Sequence, residues 1–133
     1  MPNVVTAVTL PATPDRLFDM YLDADDHSSF TGAPAIIEPQ PGGRFSAFGE
    51  ALTGIILRVQ PKRLIVQSWR SANWPEDAID STLVLSFWPQ GEGARIELVH
   101  VNVPEIDFAG VSQGWHQYYW APWRAYLDSN PAG

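Results

Sequence analysis

The middle of the chain alternates apolar and polar residues in the manner of β-strands. From residue 35 onward, short Val-, Ile- and Leu-rich runs are separated by turns that contain proline or glycine. Alternation with a period of two is typical of strands with one buried face, and closely spaced strands pair most simply antiparallel. The runs are AIIEP, RFSAFGE, ALTGIILRV, RLIVQSWRS, STLVLSFW and ARIELVHVNV. Together with the Val- and Thr-rich residues 3–10, they predict a sheet of about six to seven strands.

Two short helices are predicted between the first strand and the rest of the sheet. In TPDRLFDMYLD, Thr13 is the expected N-cap, Pro14 occupies the first helical position and Asp15 lies in the first turn. The next segment, ADDHSSFTG, predicts a second helix that ends at Gly32. Its acidic residues lack the regular ligand spacing and the central glycine of a calcium loop, so we interpret them as capping and solvated side chains.

Residues 108–128 return to a helical pattern and concentrate aromatic side chains. Six of the sixteen aromatic residues of the chain lie in GWHQYYWAPWRAYL. At about 100° per residue, they divide between two neighbouring arcs of the helix. The first arc is Val111, Trp115, Tyr118, Tyr119, Pro122 and Tyr126, and the second is His116, Trp120, Trp123 and Leu127. We expect Trp115 and Tyr118 to be buried against the sheet, and Pro122 to bend the helix because it lacks an N–H.

The order of these elements predicts an α+β domain. The final helix is the only element long enough to cover one face of the sheet, so a curved antiparallel sheet is expected to wrap around it. No repeat, linker or low-complexity segment divides the chain, and residues 1–133 are therefore predicted to form one domain.

Charge and composition exclude several classes of function. A formal net charge of −7 argues against sequence-independent binding to nucleic acid or to anionic membranes. The absence of cysteine excludes thiolate nucleophiles and cysteine-ligated metals. The N-terminal MPNVVTAVTL lacks the basic start and long apolar run of a signal peptide, and no apolar run reaches the ~20 residues that span a bilayer. We therefore expect a cytoplasmic protein.

The sequence carries few candidates for chemistry. It contains no HExxH and no phosphate-binding glycine loop, and no metal or cofactor is predicted. Alternation puts His100 on the same strand face as Ile96 and Leu98, where an imidazole can bind a ligand, act as a base or simply belong to the core. His27 and His116 are expected at or near the surface.

Four stretches of the chain together carry a family resemblance. They are TPDRLFDMYLD, PGGRFSAFGEALTGIILRVQPKRLIVQSWRSANWPE, STLVLSFWPQGEGARIELVHVNVP and GWHQYYWAPWRAYL. They resemble the C-terminal domain of the activator of heat shock protein 90 ATPase homologue family, within the START-like, helix-grip superfamily (SRPBCC). The resemblance implies the helix-grip fold over essentially the whole chain. Its motifs are mainly structural: Trp69, Trp74 and Pro75 would hold a strand end and its loop, and Gly114 would let Trp115 approach the sheet.

The resemblance leads us to expect a non-enzymatic binding protein. It would hold a small hydrophobic ligand between sheet and C-terminal helix, or act in the stress response as a co-chaperone-like module on a heat shock protein 90-type chaperone, as a monomer or homodimer. The expected cavity lining is Phe18, Phe30, Phe45, Trp69, Leu85, Phe87, Leu98, His100, Trp115, Tyr118, Tyr119 and Pro122. The expected partner contacts are Trp120 and Trp123. Eukaryotic activators carry a further N-terminal domain, for which this chain has no room, so weak ATPase stimulation is expected.

The alternative is a cyclase- or hydrolase-like enzyme of the same superfamily. It would use His100 as a base, with Tyr118 or Tyr119 as hydrogen-bond donor. A filled interior would favour a structural or partner-binding role. A cavity of roughly 300 Å³ or more with converging polar groups would favour ligand binding or catalysis.

Overall fold

Seven strands form one open antiparallel sheet in the order β1-β7-β6-β5-β4-β3-β2. The computed structural model describes residues 2–131 of the chain. The strands are β1 (Val4–Leu10), β2 (Ala35–Ile37), β3 (Arg44–Ala47), β4 (Leu52–Gln60), β5 (Leu64–Ser71), β6 (Ser81–Gln90) and β7 (Gly93–Val101). The first strand crosses over to pair with the last, Val4 opposite His100. The strand count and the antiparallel pairing predicted from the sequence are thereby confirmed.

The helices lie before β2 and after β7. They are α1 (Pro14–Leu22), α2 (Ala24–Thr31), α3 (Phe108–Gly114), a π-helical segment (Trp115–Trp120) and α4 (Ala121–Ser129), with a 3₁₀ turn at Glu105–Asp107. The 3₁₀ turn, α3, the π-helical segment and α4 follow one another without a break and form the long C-terminal helix of the helix-grip fold. Across residues 2–131, no helix is both long enough and apolar enough to cross a membrane.

Local capping explains the two short helices. The Thr13 hydroxyl accepts a hydrogen bond from the Arg16 N–H at 3.2 Å, and Asp23 accepts one from the Asp26 N–H at 3.0 Å. These side chains satisfy amide groups that have no partner within the helix. Gly32 ends α2 with a φ of 77°, a left-handed conformation that suits glycine. The predicted start of α1 and end of α2 are confirmed.

The neighbouring strands β5, β6 and β7 each bury the side chains of one face. In β6, Leu83, Leu85 and Phe87 are each at most 1% exposed, while the residues between them are only partly buried. The neighbouring strand β7 contributes Leu98, which lies opposite Leu85, and His100, which lies opposite Leu83. The inward orientation predicted for His100 is confirmed, since its side chain is 0% exposed.

The C-terminal helix departs from the predicted regular α-helix. In the π-helical segment, the Ala121 N–H donates to the His116 carbonyl, five residues back. A π turn holds more residues than an α turn, so the residues after it are rotated relative to a straight α-helix. Pro122 follows directly in the first turn of α4, where its missing N–H is tolerated. The structure thus places a wider turn directly before Pro122.

This rotation overturns two predictions about the aromatic arcs. Tyr118, predicted to be buried, is 52% exposed. Trp120 and Trp123, predicted to contact a partner, are 3% and 0% exposed. The rings of Trp123 and Phe30 stack at 4.1 Å, so α2 covers this side of the C-terminal helix. Trp120 and Trp123 therefore belong to the core and present no surface to a partner.

Candidate functional site: an aromatic groove

An open groove lies where α3 and the π-helical segment cross the ends of β4 and β5. Its volume is about 360 Å³. We call it the aromatic groove, and it is lined by Phe48, Ala51, Leu52, Trp69, Ser71, Asn73, Asp107, Gly110, Val111, Gly114, Trp115, Tyr118 and Tyr119. The lining is mostly apolar and includes three polar side chains, those of Ser71, Asn73 and Asp107. This combination is typical of sites that bind small organic groups.

The apolar wall is a continuous set of aromatic rings. The ring centroid of Phe48 lies 5.9 Å from that of Tyr118 and 5.8 Å from that of Tyr119, and both pairs pack edge to face. The Tyr119 ring centroid lies 4.8 Å from that of Trp115, and the Trp115 ring centroid lies 6.2 Å from that of Trp69. Three of these rings are deeply buried on their far sides, whereas Tyr118 is half exposed at the mouth. The wall is therefore rigid at its base and accessible at its edge.

Phe48 reaches this wall through an unfavourable backbone conformation. Its φ is 54°, in the left-handed region that bulky residues seldom adopt. Such conformations cost on the order of 1 kcal/mol or more and persist where surrounding contacts impose them. Phe48 lies in the turn between β3 and β4, beside Gly49 with a φ of 68°, and its ring contacts Tyr118 and Tyr119.

Asp107 is the charged group of the groove. Its Oδ2 accepts a hydrogen bond from the Trp74 indole N–H at 2.7 Å. Asp107 sits directly before α3 but makes no capping bond with its side chain. Within residues 2–131, its Oδ1 has no hydrogen-bond partner, and a Cβ added at Gly110 would lie 2.5 Å from that oxygen. The glycine therefore leaves room for a fixed carboxylate with one free oxygen beside the groove.

His100 is held in a closed hydrogen-bond chain behind the groove. The Ser81 hydroxyl donates to the Trp69 carbonyl at 2.6 Å, so it accepts from the His100 Nε2–H at 2.7 Å. The Trp115 indole N–H donates to the other ring nitrogen, Nδ1, at 3.2 Å. Burial lowers the pKa of His100 from 6.5 to about 4. The imidazole is thus neutral, with both nitrogens already bonded, and the groove lining does not include it.

His27 has a similar environment on the other side of the helix, contrary to the surface position predicted for it. Its Nδ1–H donates to the Tyr21 carbonyl at 2.8 Å, and the Tyr119 hydroxyl donates to Nε2 at 2.9 Å. Burial lowers the pKa of His27 to about 4 and raises the pKa of Tyr119 above its usual value. The sequence pattern around His27 is polar, and only its contact with the C-terminal helix explains its burial. His116 is exposed, as predicted.

The structure brings together only part of the predicted cavity lining. Four of the twelve residues line the groove: Trp69, Trp115, Tyr118 and Tyr119. Six others are buried at 6% exposure or less and do not line it: Phe18, Phe30, Phe45, Leu85, Phe87 and Leu98. Their side chains fill the interior, as in the edge-to-face contact of Phe18 with Phe87 at 5.6 Å. Pro122 is half-buried and His100 is bonded in the core, so the space expected between sheet and helix is largely filled.

Sequence reasoning missed Phe48 and Asp107. An Asp just before a helix is usually a cap, and nothing local distinguishes a capping Asp from one bonded to Trp74, 33 residues away in sequence.

Gly114 was expected to allow Trp115 to approach the sheet closely. A Cβ there would make only an ordinary 3.7 Å contact with Tyr118, so that reason does not hold. Among residues 2–131, no group of three or more His, Asp or Glu side chains is placed to bind a metal ion.

Two proteins similar to this chain in sequence are homologues of the activator of 90 kDa heat shock protein ATPase. The chain is 27% identical over 111 residues to the human "Activator of 90 kDa heat shock protein ATPase homolog 1", covering 84% of this chain and 32% of that protein. It is 27% identical over 104 residues to the homologue from Dictyostelium discoideum, covering 77% of this chain and 27% of the relative. The chain thus spans about a third of the length of these relatives.

Solved structures share the fold at lower identity. A crystal structure of an HSP90 activator from Plasmodium falciparum superposes with a TM-score of 0.85 at 21% identity, covering 95% of this chain and 96% of the other. The Aha1 dimer from Colwellia psychrerythraea superposes with a TM-score of 0.79 at 13% identity, covering 99% and 100%. The family profile for Activator of Hsp90 ATPase homolog 1-like protein matches residues 11–128. The chain therefore belongs to the family of Activator of Hsp90 ATPase homolog 1-like proteins.

Proposed function

We propose that this chain is a non-enzymatic, co-chaperone-like module that binds a heat shock protein 90-type chaperone. Membership of the family and the names of its relatives support this function. The observation that carries the proposal is the open aromatic groove, in which Tyr118 is half exposed on a rigid base of buried rings. Exposed aromatic side chains on a well-packed support are typical anchors of binding sites.

The hydrogen bonding of the histidines supports a binding role over a catalytic one. A general base needs a ring nitrogen within reach of substrate. His100 directs its two nitrogens at Ser81 and Trp115. His27 likewise bonds Tyr21 and Tyr119. The proposed pairing of His100 with Tyr118 or Tyr119 finds no support in these contacts.

We expect this chain, tested alone, to bind the chaperone from its own organism while stimulating its ATPase weakly or not at all. The relatives are about three times as long, and a second binding arm raises affinity through effective concentration by a factor of ~10² or more. The measurement is a coupled ATPase assay titrated well above equimolar, together with calorimetric titration of the chaperone. Robust, saturable stimulation by the chain alone would contradict the prediction of weak activity.

A surface variant tests whether the groove makes the contact. Tyr118→Ala is expected to weaken chaperone binding, because it removes the exposed ring at the groove mouth. Trp88→Ala is the matched control, since Trp88 is 42% exposed on β6 and does not line the groove. Equal binding by the two variants would move the contact away from the groove, and no binding by the unmodified chain would remove the proposed function.

A small apolar ligand in the same groove is the second candidate function. Its volume of about 360 Å³ falls in the range of ligand pockets, roughly 300–1,000 Å³. Native mass spectrometry of the chain purified from its own host is expected to find a retained small molecule if this function holds. The Tyr118→Ala variant should retain less of it, and a spectrum of bare protein would count against this candidate.

A further inference from the structure

We propose that the aromatic groove selects a small organic cation, an ammonium group attached to an apolar body, over neutral or anionic ligands of the same shape. This inference rests on the proposal that the groove is a binding site and adds the chemical class of its ligand. It comes from the juxtaposition of a half-buried carboxylate with five aromatic rings. Neither feature is required for the groove to bind an apolar molecule.

The charge of the groove has a single sign. Its lining includes the Asp107 carboxylate and contains no Lys, Arg or His. The Trp74 indole fixes one carboxylate oxygen at 2.7 Å and leaves the other available, with space provided by Gly110. The net charge of −7 adds a long-range field of the same sign. A ligand carboxylate would therefore be repelled, whereas an ammonium group would gain an ion pair.

The aromatic wall favours the same class of ligand. Ring faces carry negative partial charge and attract cations within about 6 Å, most strongly where water is displaced. The Tyr119 ring centroid lies 4.8 Å from that of Trp115 and 5.8 Å from that of Phe48, so these rings contact one another and form one continuous aromatic wall beside the groove. Trp115, Tyr119 and Trp69 are packed by the core and need no reordering to bind. Preorganised walls of this kind reduce the entropic cost of binding.

Three probes of one shape test the inference: phenylbutylamine as the cation, phenylbutanol as the neutral ligand and phenylbutyrate as the anion. Binding is measured by ¹H–¹⁵N NMR titration of the full chain, following the amide signals of groove residues. We expect phenylbutylamine to bind about tenfold more tightly than phenylbutanol, with added salt weakening only the amine. Phenylbutyrate is expected to bind most weakly of the three.

Asp107→Asn is the decisive variant. An asparagine oxygen can still accept the Trp74 hydrogen bond, so the fold is retained, and a thermal melt compared with the unmodified chain verifies this. The variant is expected to lose about tenfold in affinity for phenylbutylamine and to bind phenylbutanol unchanged. Asp128→Asn, at an exposed position of α4 outside the groove lining, changes the net charge equally and should leave both affinities unchanged.

The outcomes separate this inference from the proposed function. Equal binding of the three probes, an unaffected Asp107→Asn variant or no shift of groove signals at millimolar probe would overturn selection of a cation. Chaperone binding without amine binding would remove this inference alone. Amine binding without chaperone binding would support this inference and remove the co-chaperone proposal.

Discussion

Replacing Trp115 with alanine is expected to lower the free energy of unfolding by about 3–5 kcal/mol, the usual range for a large buried aromatic residue. The side chain is 3% exposed and packs between Tyr119 at 4.8 Å and Trp120 at 5.7 Å. Its indole also donates to His100, so the substitution leaves a cavity and a buried nitrogen without its donor. Urea unfolding followed by circular dichroism measures the loss.

Tyr118→Ala is the matched control on the same helix. Because Tyr118 is 52% exposed, we expect it to lower the free energy of unfolding by less than about 1 kcal/mol. If Trp115→Ala lowers the free energy of unfolding by less than about 1 kcal/mol, Trp115 is not part of the core. Similar large losses for both variants would show that Tyr118 is packed more tightly than its exposure indicates.

Acidification is expected to destabilise the fold through its two buried histidines. Burial lowers the pKa of His27 and of His100 from 6.5 to about 4. Between these values the unfolded chain binds protons that the folded chain does not. The stability from each neutral imidazole is therefore fully present above pH 6.5 and is lost as the pH falls toward 4. Each shift corresponds to about 3 kcal/mol, so the pair approaches the whole stability of a typical domain.

The measurement is the free energy of unfolding in urea at several pH values from 7.5 to 4.5. The unmodified chain is expected to lose up to about 1.4 kcal/mol per pH unit for each histidine in the steep region. His27→Gln and His100→Gln should each reduce this slope, whatever they do to stability at pH 7.5. His116→Gln, at an exposed position, should leave the slope unchanged. A slope that survives in the double variant His27→Gln/His100→Gln would assign the acid sensitivity to other groups.

Local signals in the sequence predicted most of the fold. Thr13, Pro14 and Gly32 mark helix ends by their own capping chemistry, which acts over three or four residues. Alternation in β7 predicted that His100 faces inward with Ile96 and Leu98, because the period of a strand does not depend on its partners. The family resemblance agreed with these signals, and the helix-grip architecture followed from both.

The candidate site depended on contacts between distant parts of the chain. Asp107 belongs to the groove because Trp74 holds its carboxylate, and Phe48 because the C-terminal helix packs on its ring. Of the twelve residues expected to line a cavity, four line the groove and six are packed in the interior. Patterning identifies which side chains leave water, but only their packed shapes decide whether the space between them is filled.

The sequence by itself determined the order of the elements, the inward faces of the strands and the presence of an aromatic C-terminal helix. Only the tertiary structure decided which aromatic residues are buried. One π turn after Gly114 changes the rotation of the helix, so Trp120 and Trp123 enter the core and Tyr118 turns outward. A helical wheel assumes a constant angle per residue, and the backbone leaves that angle where packing and the missing N–H of Pro122 favour a wider turn.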